Sequence, residues 1–403
     1  MTQSASDDRV RVGLMISSMR GGGSEQQTLL LLRHLDRHRF EPFLCLTQAV
    51  GHLLPLVPED VPITTMTCDK PGVYFPGRQL RAQVRAVRDW AQRQNLDVIY
   101  DRTFGMTMIA SAAVDALGTP RVSTIVSPPD RAVPSLERRF QKLKIRRLSA
   151  AYRRSHTRLA VSRLAAKSAI EFYELPESAV HVIPNPVDVA NIKRQAETGR
   201  SVHLPAFNDP AGLHLVCLGR MSEEKGQADL LEAMRLSQIR DDHGDASKPA
   251  LLLTLVGDGP DRAMLESLVT QLPHPDRVRF AGHFANPYGV LAAADGLVLP
   301  SHFEGMPNVV LEAMALSVPV LASRCGGTLE LELSDPTIRW FTAGDPASLA
   351  DALENFRDDP AGNSTRVRAA TRHIKRFHEV STVVGQIEAK LMSAAAGDRS
   401  RKK

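Results

Sequence analysis

An α/β chain built from two parallel-sheet units is what this sequence predicts, and three observations predict it. Short apolar runs alternate with amphipathic helical patterns almost from end to end, the signature of parallel strands with helices on both faces. The alternation restarts after an interruption near residues 187–211, where Asn185-Pro186, a polar stretch and Asn208-Asp209-Pro210 break the periodicity. At 403 residues the chain is long for one ordinary domain and comfortable for two, each with its own core.

In the first half, Val10–Ser17, Phe43–Thr47, Val98–Tyr100 and Val122–Val126 read as strands, with helical stretches at Ser24–Leu35 and Gln79–Gln94. In the second, Leu213–Leu218, Leu251–Val256, Val278–Phe280, Gly296–Leu299 and Val318–Ala322 are strand-like, again with helices between. Residues 241–248 read as a surface loop, and Arg366 to Met392 as helix before a basic tail at Arg399, Arg401, Lys402 and Lys403. Two such Rossmann-like units bind ligands outside the carboxyl ends of their strands, which suits a dehydrogenase, a binding protein or a transferase alike.

Apolar residues make up 43% and charged residues 24% of the chain, proportions of a globular protein. No run approaches the roughly 20 apolar residues of a membrane-spanning helix. The N-terminus puts acidic residues before a short apolar run, unlike a secretory signal, so a cytoplasmic location is expected. Cys45, Cys68, Cys217 and Cys325 are scattered with no C-x-x-C pair, and read as buried thiols. The net charge of +5 is unevenly placed: residues 1–189 hold 26 Lys and Arg against 18 Asp and Glu.

Several segments carry chemistry. After the strand ending at Leu218, Gly219-Arg220 and Lys225-Gly226 place two cations five residues apart in one loop. An Arg that binds two oxygens and a compact Lys charge suit a diphosphate; the alternative is a solvated pair balanced by Glu223 and Glu224. Val256-Gly257-Asp258-Gly259-Pro260 follows a buried run. Its glycines either let backbone approach a ligand or make a tight turn with none, and it is not a dinucleotide fingerprint.

Residues 300–314, PSHFEGMPNVVLEAM, run from a strand into a helix beginning around Pro307. The helix start after Gly305, at Met306, Pro307 and Asn308, is a seat for an anion. Glu304 before the helix and Glu312 within it could stand on the order of 10 Å apart. That span lets one carboxylate meet a sugar and the other a ribose, since carboxylates accept from hydroxyl pairs; otherwise Glu312 forms a salt bridge on its helix. Arg324-Cys325-Gly326-Gly327-Thr328-Leu329-Glu330 makes a further glycine turn toward the same edge. In the first half, Met19-Arg20-Gly21-Gly22-Gly23-Ser24-Glu25-Gln26 enters the first helix without a Walker-type ending.

Taken together, these residues resemble the GT-B glycosyltransferases called glycosyl transferases group 1, family four, of the retaining type. The likeness runs through Gly22-Gly23-Ser24-Glu25-Gln26, Val161-Ser162, Val182-Ile183-Pro184-Asn185-Pro186-Val187-Asp188, Gly219-Arg220 with Glu223-Glu224-Lys225-Gly226, Val256-Gly257-Asp258-Gly259-Pro260 and the Glu304/Glu312 pair. It implies a GT-B architecture: an acceptor domain over 1–190, a linker over 191–210 and a donor domain over 211–372. Residues 373–403 would be a C-terminal helix packing back toward the first domain, with the basic tail. The resemblance further implies that Arg220 and Lys225 hold the donor diphosphate and stabilise the leaving group. Glu304 would contact the transferred sugar and Glu312 the ribose, with Gly219, Gly257, Gly259, Gly305, Met306, Pro307 and Asn308 lining the donor. The nucleotide sugar, a UDP-sugar first, is a substrate and no cofactor is implied; with no D-x-D and no His/Cys cluster, no metal is expected.

Two places depart from the family pattern. Many relatives carry a His where this chain has Ser127-Pro128-Pro129-Asp130-Arg131, and a Ser followed by Arg is loosely similar to a branch that handles N-acetylated hexosamines. Gly22, Gly23, Ser127 and Arg131 are accordingly placed on the acceptor side. Residues 336–341, PTIRWF, are unlike the usual glycine-containing stretch.

Between Arg131 and Arg163 stand 11 Lys and Arg and one acid, Glu137. Leu136, Phe140, Leu143 and Leu148 keep helical spacing there, and Arg78, Arg81, Arg85, Arg88 and Arg93 form a second basic stretch. Such helices suit an anionic membrane surface, which would bring a lipid-diphosphate-linked or other glycan acceptor to a peripheral enzyme; they also suit a solvated face. Aromatic interleaving is too poor for nucleic acid. The expectation is a transferase moving a hexose or N-acetylhexosamine in surface polysaccharide, lipopolysaccharide or glycoprotein glycan assembly. A nucleotide-sugar isomerase of the same fold and a non-catalytic partner protein are the alternatives.

Overall fold

The computed structural model describes residues 9–66, 77–136, 141–199, 207, 209–244, 247–332 and 335–399. Cys68, Glu137, Phe140, Asn208 and the tail residues Arg401 to Lys403 lie outside them. The chain divides into two compact units, one made of Met1–Pro186 with Val380–Lys403 and the other of Val187–Glu379.

The first unit runs β1 (Val10–Ile16), α1 (Gly23–His34), β2 (Phe40–Leu46), β3 (Ile63–Thr65), α2 (Arg78–Arg93), β4 (Val98–Arg102), α3 (Phe104–Val114), β5 (Arg121–Ile125), α4 (Pro129–Leu136), α5 (Gln141–Arg154), β6 (Thr157–Ala160), α6 (Arg163–Tyr173) and β7 (Val180–Val182). All seven strands pair in parallel, in the order β3-β2-β1-β4-β5-β6-β7. The central strands are apolar runs because helices cover both of their faces. On one face Leu14 and Ile16 pack with Leu32 and Leu44. On the other, Met15 and Ile99 pack with Val87, Trp90 and Ile109. Ser162 starts α6 by accepting from the Ala165 amide at 3.1 Å.

The second unit begins with α7 (Val189–Gly199), so half of the expected 191–210 linker is helix. The polar run NIKRQAETG hides a narrow buried stripe, Ile192 and Ala196, four residues apart on one face. After it come β8 (Leu213–Leu218), α8 (Gln227–Asp242), β9 (Leu251–Val256), α9 (Arg262–Val269), β10 (Val278–Gly282), α10 (Tyr288–Ala292), β11 (Gly296–Leu299), α11 (Asn308–Ala315), β12 (Val320–Ser323), β13 (Arg339–Phe341), α12 (Pro346–Asp358) and α13 (Pro360–Phe377). Six parallel strands run in the order β10-β9-β8-β11-β12-β13. Asn286, before α10, donates to the Gln195 carbonyl of α7 at 2.9 Å, tying α7 into this unit. The unit extends to Glu379 rather than 372, and Val187 donates to the His378 carbonyl at 2.8 Å.

Residues 366–392, expected as one helix, are two, because His378 and Glu379 interrupt them. The second, α14 (Val380–Arg399), belongs to the first unit, where Val383, Val384, Ile387 and Leu391 join its core.

Candidate active site

In the second unit the strand order reverses between β8 and β11, the point at which open parallel sheets bind their ligands. Four loops leave the carboxyl ends of β8, β9, β11 and β12 and touch backbone to backbone. A Cβ on Gly257 would stand 2.0 Å from the Gly219 carbonyl oxygen, one on Gly259 2.1 Å from that of Met221, and one on Gly326 1.9 Å from that of Glu304. Met221 donates to the Asp258 carbonyl at 3.0 Å and Gly327 to that of Glu304 at 3.0 Å. Gly257 and Gly259, expected along the donor, therefore have another use: their missing side chains make room for the turn that carries Arg220.

Within this frame Lys225 Nζ and Glu304 Oε1 stand 2.6 Å apart, both half-buried. Ser301 Oγ donates to the same carboxylate oxygen at 2.8 Å. Burial opposes the Lys225 ammonium, but attraction to Glu304, their hydrogen bond and the Glu224 carboxylate outweigh it and hold its pKa above the ordinary lysine value. Arg220 is exposed, and its carbonyl accepts from Gln227 Nε2 at 2.9 Å. Its guanidinium has no partner among the described residues.

α11 starts at Asn308, one residue after the expected position, with Pro307 at its cap and no side chain capping it. Gly305, Met306 and Pro307 are buried. Glu312, on the second turn, makes no ion pair among the described residues. Its carboxylate accepts from the Tyr288 hydroxyl at 3.4 Å. Burial pushes its pKa up to about 7, against a small opposing effect of that bond. Sequence reasoning missed Ser301 and Tyr288. Ser301 stands three residues before Glu304 and could have been suspected, whereas nothing local points to Tyr288.

The acceptor-side candidates belong to the first unit. Gly22 caps α1 and Gly23 begins it, but the loop's negative charge is supplied from within. Glu25 accepts from the amides of Gly21 at 2.8 Å and Gly22 at 2.6 Å, and from the Ser18 hydroxyl. An anion would compete with this resident carboxylate. Ser127 is half-buried after β5, and Arg131 is exposed and pairs with Asp130 at 3.6 Å. On α5, Lys142, Leu143, Arg146 and Arg147 are exposed together. Arg158 is instead taken up by the carbonyls of Tyr152, Ser155 and Ala179.

Cys45, Cys217 and Cys325 are buried free thiols, and burial pushes Cys45 and Cys217 up to about 12. Among the described residues no three His, Cys, Asp or Glu side chains gather as metal ligands would. No described helix is long and apolar enough to cross a membrane.

The family model described as Glycosyl transferases group 1 matches residues 212–359, and that described as Glycosyltransferase Family 4 matches residues 21–191. A lipopolysaccharide core biosynthesis glycosyltransferase of Rhizobium meliloti is 36% identical over 174 residues, 43% of this chain and 47% of that protein. A glycogen synthase of Mycobacterium tuberculosis is 31% identical over 222 residues, 55% of this chain and 50% of that protein. The chain thus spans about half the length of these curated relatives. Among solved structures, HepE of Anabaena, in complex with UDP and glucose, superposes with a TM-score of 0.77 at 22% identity. That match covers 96% of this chain and all of the other. Sucrose-phosphate synthase from Thermosynechococcus elongatus gives 0.75 at 18% identity over 96% of this chain and 100% of its own. With two Rossmann-like domains shared with these structures and one family model on each half, the chain belongs to the group 1, family four glycosyltransferases of GT-B fold.

Proposed function

We propose that the protein is a retaining, metal-independent glycosyltransferase that moves a hexose or N-acetylhexosamine from a UDP-sugar to a glycan or lipid-linked acceptor. The observation that carries this is the Lys225–Glu304 contact of 2.6 Å at the switch point. A cation and a hydroxyl acceptor in contact suit the junction of a diphosphate and its sugar. Arg220 and Lys225 meet the diphosphate charge, Glu304 accepts from sugar hydroxyls, and Glu312 accepts from the ribose. As the bond from the sugar's anomeric carbon to the phosphate oxygen breaks, the two cations stabilise the departing oxygen. The acceptor hydroxyl attacks from the face that the nucleotide leaves, its proton passing to that phosphate. The nucleotide sugar is consumed as substrate, so no cofactor takes part.

HepE is solved with UDP and with UDP-glucose, which supports a uridine donor. The lipopolysaccharide relative supports an acceptor in surface glycan assembly. The exposed cations around Leu143 support a cytoplasmic enzyme resting on anionic lipid.

A panel of UDP-, GDP- and ADP-sugars, each assayed for binding, hydrolysis and transfer by the purified chain with and without a chelator, tests the reading. UDP-sugar turnover with retained anomeric configuration, unaffected by the chelator, is the expected result. Absence of binding and turnover with every donor would overturn it. Binding to vesicles of anionic lipid should fall as salt rises, and salt-insensitive absence from such vesicles would remove the membrane part alone.

A further inference from the structure

The second unit has another opening, which sugar transfer does not use. It is a groove of about 470 Å³ at the edge of the sheet, where β13 has no further strand beside it. Its size is that of a small-molecule site, about 300–1,000 Å³. Arg324 after β12, Trp340 of β13, Glu332, and Asp351 and Arg366 from α12 and α13 are among its walls. The unusual segment 336–341 supplies one side.

The acids in and around this groove are already engaged. Glu332 accepts from the Thr337 and Ile338 amides at 3.1 and 3.4 Å. Asp351 pairs with Arg240 at 2.8 Å, and Asp359 pairs with Arg339 at 2.8 Å while accepting from the Gly362 amide. One cation is less satisfied. The exposed guanidinium of Arg324 lies over the Trp340 ring, 5.3 Å from its centroid, with no carboxylate partner among the described residues. Arg366 pairs with Asp359 at 3.7 Å, while Trp340 Nε1 and Arg366 Nε are buried donors with no acceptor among the described residues. A buried donor left unmade is costly. What Arg324 lacks is therefore a counter-charge, beside an aromatic wall.

We propose that this groove binds an anionic sugar residue, a uronate or a sugar phosphate. Its charged group lies against the exposed guanidinium of Arg324, beside Trp340. Binding here stands independently of the transfer reading. Arg324 is two residues from Gly326, whose backbone meets the Glu304 carbonyl, so the occupant sits beside the loop that carries Glu304.

The chain has two tryptophans, and Trp90 is buried in the first unit, so a ligand-dependent change in fluorescence reports on Trp340. The full chain is titrated with glucuronate, glucose 6-phosphate, glucose and inorganic phosphate, and binding is checked by calorimetry. Both anionic sugars should give a saturable change, with glucose and phosphate each at least tenfold weaker. Arg324→Ala should weaken both anionic sugars about tenfold, leaving the UDP affinity and thermal midpoint unchanged. Trp340→Phe should remove the fluorescence change. No saturable binding, binding of glucose as tight as that of glucuronate, phosphate as tight as glucose 6-phosphate, or an unaltered Arg324→Ala variant would each overturn the proposal.

Discussion

The two sheets reverse strand order at the same place, between the first and fourth strands of each unit, yet the loops at the two reversal points are finished differently. After β1 the Gly21 and Gly22 amides close on the carboxylate of Glu25, which also takes the Ser18 hydroxyl. After β8 a cation, Lys225, meets a carboxylate from the loop after β11, and Arg220 stays exposed. The first loop supplies its own anion, while the second keeps positive charge available for one. A run of three glycines is thus a poor guide to a ligand. The informative quantity is where the balancing negative charge comes from.

The largest expected effect is on the second loop. Lys225→Ala should lower kcat/KM with a UDP-sugar by about 100-fold or more, with a circular dichroism spectrum like that of the wild type. Transfer within tenfold of wild type would show that the diphosphate is held elsewhere. In the first loop, Glu25→Ala leaves two amides and a hydroxyl without their acceptor. It should cost about 1–3 kcal/mol in urea unfolding, with UDP affinity unchanged within twofold. If stability holds and UDP binding weakens instead, the first loop is not the self-contained one.

The smallest effect concerns pH. Burial raises the Glu312 pKa to about 7, and the proposed ribose contact needs the carboxylate to accept from both hydroxyls. UDP affinity should fall roughly tenfold per pH unit below 7, and Glu312→Gln should flatten that dependence. A wild-type profile flat from pH 5.5 to 8 would remove Glu312 from the nucleotide site. The linked stability has the opposite sign. A carboxyl raised from 4.5 to about 7 contributes fully below about pH 4.5 and loses that contribution as pH rises through about 7.

The central strands were legible because burial on both faces demands continuous apolar runs such as LHLVCL and LLLTLV. Of the edge strands, β10 was read at Val278–Phe280, but both edges of the first sheet were not. Ile63–Thr65 and Val180–Val182 are three residues long and largely exposed, so their composition carries no such demand. Lys225 and Glu304, 79 residues apart, were readable through family likeness, but their direct contact was not, since it depends on which strands are neighbours. Gly257 and Gly259 show the limit most clearly. A missing Cβ looks the same in sequence whether the approaching atom belongs to a ligand or, as here, to the Gly219 or Met221 carbonyl.

The return of α14 to the first unit bears on how the molecule is made. Val383, Val384, Ile387 and Leu391 complete a core begun at Val10, and they leave the ribosome only after all of residues 187–379. The nascent chain up to Pro186 therefore carries an uncovered apolar stripe along its sheet throughout synthesis of the second unit. That interval is an opening for aggregation or chaperone capture.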